Sequence, residues 1–143
     1  MTLETAIREI PKEYGIEPAI VWAINQHESM QNKDPHHFDP GKLEEARKYT
    51  DSDYEAKMLA SSHGPMHVHA LTARGYGVHW SQLSDPETSV RLACRKLKEC
   101  KAQFAKQWNW IACYNGSGPR AQNYPKFIYA WLNKPEAKQW IQS

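Results

Sequence analysis

Apolar residues return at three- and four-residue steps along most of the chain, and no convincing strand pattern interrupts them, so the sequence predicts helices throughout. Residues 2–10 put Leu3, Ala6, Ile7 and Ile10 on one face, with Thr2 as the cap and Pro11 as the stop. Residues 14–30 form an apolar helical stretch, in which Ile16, Ile20, Ala23, Ile24 and His27 share a face, with the helix starting near Glu17-Pro18. Asp34-Pro35, Asp39-Pro40 and Gly41 then make 32–41 a loop. The charged segment 42–60 reads as one or two surface helices with a break near 50–53. Residues 61–68 form a loop, followed by a short helix to about Arg74 that Gly75 and Gly77 stop. Asp85 caps and Pro86 opens a helix with Val90, Ala93, Cys94, Leu97, Cys100 and Phe104 at core spacing. Arg91, Arg95, Lys98, Lys101 and Lys106 form its solvated face. Two more helices are expected at 109–114 and 119–132, the second bent or restarted at Pro125 with Phe127, Ile128 and Trp131 facing in, and a last one at 135–141. The expected fold class is all-α, built from short helices packed at steep angles.

Composition narrows this picture. The 143 residues suit one domain, 1–143, and six Trp, seven Tyr and three Phe furnish its core. A net charge of +2 with no basic block interleaved with aromatics argues against nucleic acid as a partner. The N-terminus lacks a basic segment followed by an apolar run, so no secretory signal is expected, and no segment has the length of a membrane span. Of the three cysteines, Cys94 and Cys100 lie six apart on one predicted helix and cannot bridge. The expectation is small buried thiols without a disulfide framework.

Candidate chemistry starts at Glu28, four residues after Ile24 and eight after Ile20, where the apolar row delivers a carboxyl towards the interior. Burial disfavours the charged form of a carboxyl, which suits a general acid working near neutrality. A helix-end glutamate turned to solvent is the structural alternative. His27-Glu28 is not a zincin helix, because Gln31 stands where the second zinc-ligating histidine is required. His63, His67 and His69 are spaced for a metal, but Gly64-Pro65 opposes a helix between them, so no metal is expected. Glycine loops that cradle phosphate and serine-elbow motifs are lacking.

Four stretches together resemble the catalytic domain of soluble-type lytic transglycosylases, relatives of goose-type lysozyme that cut peptidoglycan glycan strands. The helix ending in Glu28-Ser29 matches the first motif, and Ser61-Ser62-His63-Gly64-Pro65-Met66-His67-Val68 stands for the serine-rich turn and its Gly-Leu-Met-Gln stretch. Gly75-Tyr76-Gly77 with Leu83-Ser84-Asp85-Pro86 match the intervening turn and helix start, and Ala112-Cys113-Tyr114-Asn115-Gly116-Ser117-Gly118 the Ala-Tyr-Asn-glycine motif. The match spans about residues 16–129. It departs at His67, where the family has glutamine, and at Pro65, where it has leucine. The segment 35–60 is longer than in the shortest members and is expected to cover part of the groove.

The resemblance implies a lysozyme-like fold of about seven to nine short helices around a glycan groove. It also implies cleavage of the β-1,4 bond between N-acetylmuramic acid and N-acetylglucosamine, with no cofactor. Glu28 would serve as the single general acid and base, closing a 1,6-anhydro ring, where ordinary glycosidases use two carboxyls. Ser29 would orient substrate or cap its own helix end, and Met66 would lie against the acetamido region or simply pack. His67 stands at a further substrate-binding position. Tyr114 would hydrogen-bond near Glu28, and Asn115 would contact glycan or fix its loop. Tyr76, Trp80 and Tyr124 are candidates for stacking on sugar. The alternatives are a muramidase that uses water, with Asp34 or Asp39 as its second acid, and a glycan-binding module without activity. A monomer acting on the cell wall, in the periplasm or outside the cell, is expected. The lack of a signal points to a phage-type lysin, a component of an envelope machine or an excised domain.

Overall fold

The computed structural model describes residues 1–31, 36–116 and 119–141. Helix α1 (Leu3–Glu13) opens where the Thr2 hydroxyl accepts the Thr5 amide at 3.1 Å. It runs through Pro11 instead of stopping there, because a proline in the last turn forfeits only one terminal hydrogen bond. Helix α2 (Pro18–Gln31) crosses the centre of the molecule. Its residues from Pro18 to Asn25 are all buried, so it is a central helix covered on every side and not an amphipathic one with a single inner face. Helices α1, α6 (Pro86–Gln103), α8 (Pro119–Leu132) and α9 (Lys138–Ile141) pack around it. Trp22 stacks on Trp140 with centroids 6.3 Å apart and meets the edge of Trp131 at 6.2 Å.

α6 starts as the sequence predicts, with Asp85 accepting the Thr88 amide at 3.0 Å and Pro86 at the first helical position. α7 (Gln107–Tyr114) packs against α6 and α8. The Cys100–Cys113 disulfide ties α6 to α7, which corrects the expectation of three thiols. Those two cysteines lie on different helices, and only the packing of one helix on the other brings them together. Cys94 is buried and free, its thiol pushed up to about 12 by burial. α8 is unbroken through Pro125, and Phe127 is exposed on it, contrary to the inward position expected, while Ile128 is buried.

A second correction concerns strands. β1 (His36–Phe38), β2 (Ser61–His63) and β3 (Val68–His69) form a small antiparallel sheet in the order β1-β2-β3, with His36 opposite His63 and His63 opposite Val68. Strands of two and three residues are too short for alternation to show. A 3-10 turn (Pro40–Lys42), α3 (Leu43–Ala46), α4 (Asp53–Leu59) and α5 (Ala70–Gly75) surround the sheet and share a smaller core of Ala46, Ala56, Leu59, Ala60 and Ala70. The β2–β3 turn needs its glycine: Gly64 has φ +79°, and a Cβ there would lie 1.9 Å from the Leu83 carbonyl oxygen. Mainly α in architecture, the chain thus divides into a helical body around α2 and a small α/β lobe. Among the described residues, no helix is long and apolar enough to cross a membrane.

Candidate active site

α2 is buried until Asn25 and then emerges, so His27 and Glu28 are half-buried and Ser29 is exposed. His27 and Glu28 emerge at a groove of about 1020 Å³ between the helical body and the small lobe. Glu28, Lys96, Tyr114 and Tyr124 line it from the body, and Phe38, Asp39, Lys42, Glu45, His67 and His69 line it from the lobe. The part of 35–60 that the structure describes therefore does form one wall. Asp34 lies outside the described residues.

From the middle of α8, Tyr124 donates its hydroxyl to Glu28 Oε1 at 2.8 Å. Tyr114, expected in that role, donates instead to the Met66 carbonyl at 2.9 Å, with its ring 6.3 Å from that of Tyr124. Both phenols are held well above the usual tyrosine range, first by burial and then by the nearby Glu28 charge, so both remain donors. Tyr124 is buried and hydrogen-bonded, not a stacking surface.

The turn between β2 and β3 is bolted to three helices. Asn25 Nδ2 donates to the Pro65 carbonyl at 2.9 Å, the Met66 amide donates to Ser89 Oγ at 3.2 Å, and Tyr114 takes the Met66 carbonyl. Each bond pairs a buried polar group that would otherwise be left costly and unsatisfied. Met66 is fully buried and offers its backbone, not its thioether, to this arrangement. His67 follows at φ 47° and is turned into the groove wall. Asn115 ends α7, exposed on the groove beside Gly116. Ser29 does not line the groove; its hydroxyl donates to the Asn25 carbonyl at 2.5 Å, the bond of a serine closing its own helix turn. Of the six singled-out residues, the groove therefore gathers Glu28, His67, Tyr114 and Asn115.

The histidines are dispersed among separate partners. His63 donates from Nε2 to the Met58 carbonyl at 2.7 Å, which leaves its Nδ1 to accept the Nδ1–H of His36, also at 2.7 Å. Its ring stacks on Trp80, whose indole N–H donates to Glu55, so Trp80 supports the lobe. His69 Nδ1 accepts the Leu71 amide and caps α5. Tyr76 hydrogen-bonds Glu99 at 2.6 Å, away from the groove.

Lys96 and Phe127 line the groove without having stood out in the sequence as site candidates. Lys96 lies three positions after Ala93 and four before Cys100, on the buried row of α6, and that position was its only signal. Phe127 stacks on His27 with centroids 5.0 Å apart, forming an aromatic rim next to Glu28. Chemically, the groove presents a carboxyl steered by a buried phenol, with two further carboxylates, Asp39 and Glu45, in the opposite wall. Such a carboxyl can give a proton to a bound ligand and take one back.

Neither a curated protein nor a solved structure matches the chain. The transglycosylase SLT domain matches residues 5–127, which takes in α1 to α8 as far as Phe127, and with it every groove residue named above. The chain belongs to the transglycosylase SLT domain family, lytic transglycosylase catalytic domains of the lysozyme-like superfamily whose substrate is peptidoglycan.

Proposed function

We propose that the chain cleaves the β-1,4 bond between N-acetylmuramic acid and N-acetylglucosamine non-hydrolytically, with Glu28 as both acid and base. The observation that carries this reading is the Tyr124–Glu28 hydrogen bond at the wall of a groove large enough for several sugar rings. Glu28 gives its proton to the glycosidic oxygen as the C1–O bond breaks and the N-acetylglucosamine side leaves as an alcohol. Positive charge develops at C1 of the muramyl ring. The carboxylate now present takes the proton of the same sugar's C6 hydroxyl, whose oxygen closes on C1 to form the 1,6-anhydro ring. Glu28 is left protonated for the next turnover, and no water is consumed. Tyr124 holds the carboxyl in place through both transfers. Tyr114, Met66 and Ser29 fix the backbone around it, while His67 and Asn115 face the glycan.

The groove is built within one chain, so the reaction needs no second subunit. Action at the cell wall, outside the membrane, agrees with the Cys100–Cys113 disulfide, since such bonds persist in oxidising surroundings. Asp39 and Glu45 in the facing wall favour one second reading, hydrolysis by water held on a second carboxylate.

Mass spectrometry of the products from purified peptidoglycan separates the two. Anhydro-muramyl ends from the unaltered protein are expected, with Glu28→Gln slower by roughly 10²–10⁴-fold, the usual contribution of a positioned general acid. Fragments one water heavier would establish the hydrolase, and glycan binding without any products would make the chain a binding module.

A further inference from the structure

Lys96 lines the groove beside Glu28 and Tyr114 without a part in this chemistry. It projects from the inner row of α6, flanked by buried Ala93 and Leu97, and its stem is half-buried. The ammonium lies 5.2 Å from the centroid of the Tyr114 ring. Among the described residues it forms no ion pair. The groups that act on it are Glu28 from α2, which favours its charge, and Lys42 from the 3-10 turn, which opposes it, while His69 faces it from β3. Burial is the largest influence, and it lowers the proton affinity of the amine.

A cation withdrawn from water without an anion costs free energy, and the face of a single phenol ring compensates only in part. Glu28 cannot be its permanent counter-ion, because a general acid carries a proton when the cycle begins. A lone positive charge here also opposes the positive charge that develops at C1 of the substrate. Both difficulties vanish if the substrate itself brings a negative charge to this point. The muramyl sugar does so: its O3 carries a lactyl ether, a few bonds from the C1 that Glu28 serves. That lactyl carboxyl is an anion when no peptide is attached and a neutral amide when one is.

Resting on the glycan-cleaving reading above, we propose that Lys96 anchors the carboxylate of the muramyl lactyl group, so that the groove prefers glycan strands stripped of their stem peptides. The ion pair forms beside the Tyr114 ring, fixes the register of the strand against Glu28, and neutralises Lys96 before charge builds at C1.

The test is equilibrium binding of fluorescently labelled glycan strands to Glu28→Gln protein, which holds them uncut. The strands carry free lactyl carboxylates, methyl-esterified ones, or intact stem peptides. Esterification is expected to weaken binding about tenfold, as loss of a partly desolvated ion pair does. It should change nothing in Glu28→Gln/Lys96→Met, while Glu28→Gln/Lys96→Arg retains the difference. If the Lys96→Met variant misfolds by circular dichroism, Lys96→Gln replaces it, and the esterification comparison in Lys96 protein stands by itself. Peptide-bearing strands should bind like the esterified ones; equally tight, Lys96-dependent binding of both would transfer the contact to a stem-peptide carboxylate and overturn the lactyl assignment. Equal binding of free and esterified strands would overturn it too, as would an esterification penalty that survives Lys96→Met. The same strands given to the unaltered protein keep the two readings apart. Products with charge-blind binding remove only the anchor, Lys96-dependent binding without products removes only the cleavage, and no binding at all removes both.

Discussion

At the scale of single residues, the site depends on which hydroxyl reaches Glu28. Tyr124 is buried, so its ring position does not depend on the hydroxyl, and Tyr124→Phe removes one hydrogen bond while keeping the packing. A hydrogen bond to a charged group contributes about 1.5–3 kcal/mol, so kcat should fall roughly ten- to a hundredfold with KM little changed. Steady-state kinetics on glycan strands would check this, and an equal loss in KM would make Tyr124 a substrate contact instead. Tyr114 should behave differently. Its phenol holds the Met66 carbonyl, so Tyr114→Phe loosens the β2–β3 turn and lowers the melting temperature together with activity. Glu28, Tyr114 and Asn115 were legible as candidates because they sit in short stretches whose order resembles a family. The choice between Tyr114 and Tyr124 was not legible, since both are buried aromatic positions on helices and nothing local says which of them faces Glu28.

At the scale of elements, the starts of the helices follow local chemistry. The Thr2 and Asp85 caps were visible in sequence because a cap needs only a side chain and an amide two or three residues on. The α6–α7 connection was not. The Cys100–Cys113 bond closes a loop of 13 residues, for which chain entropy gives about 3 kcal/mol. Replacing both cysteines by serine should lower the melting temperature by roughly 6–12 °C for a domain of this size, read by circular dichroism. Labelling with a thiol reagent under denaturing, non-reducing conditions should modify Cys94 alone. Three reactive thiols would restore the unpaired reading of the sequence. The small sheet was also hidden, because its strands are defined by pairing across 27 positions, as between His36 and His63, and not by a repeat within any strand.

Across the whole molecule, the histidines link the groove to pH. His27, His63 and His69 all have proton affinities lowered, in each case chiefly by burial, and they lie at the groove or in the sheet that forms its wall. The unfolded chain therefore binds protons that the folded one refuses. Stability should be fully present above about pH 6.5 and fall as the pH drops below it towards the folded-state values. A proton added to His63 would also set two N–H groups against each other across the 2.7 Å contact with His36. Thermal unfolding between pH 7.5 and 5 would measure this, and a melting temperature that rises on acidification would contradict it. His63→Gln should flatten the dependence.

What the sequence determined by itself was local: the helices, most of their boundaries, and a carboxyl at the end of an apolar one. Helical periodicity and capping act over three or four residues, and the chain displays them without needing its fold. Only the tertiary structure decided which partners meet. Glu28 and Tyr124 are 96 positions apart, and Tyr114 and Met66 are 48 apart. The packing of α8 and α7 against α2 and the β2–β3 turn selects those contacts by shape and burial. Lys96 shows the same limit from the other side. Its place on the inner row of α6 was readable, but that row faces a groove at that point because the small lobe stands away from the helical body there.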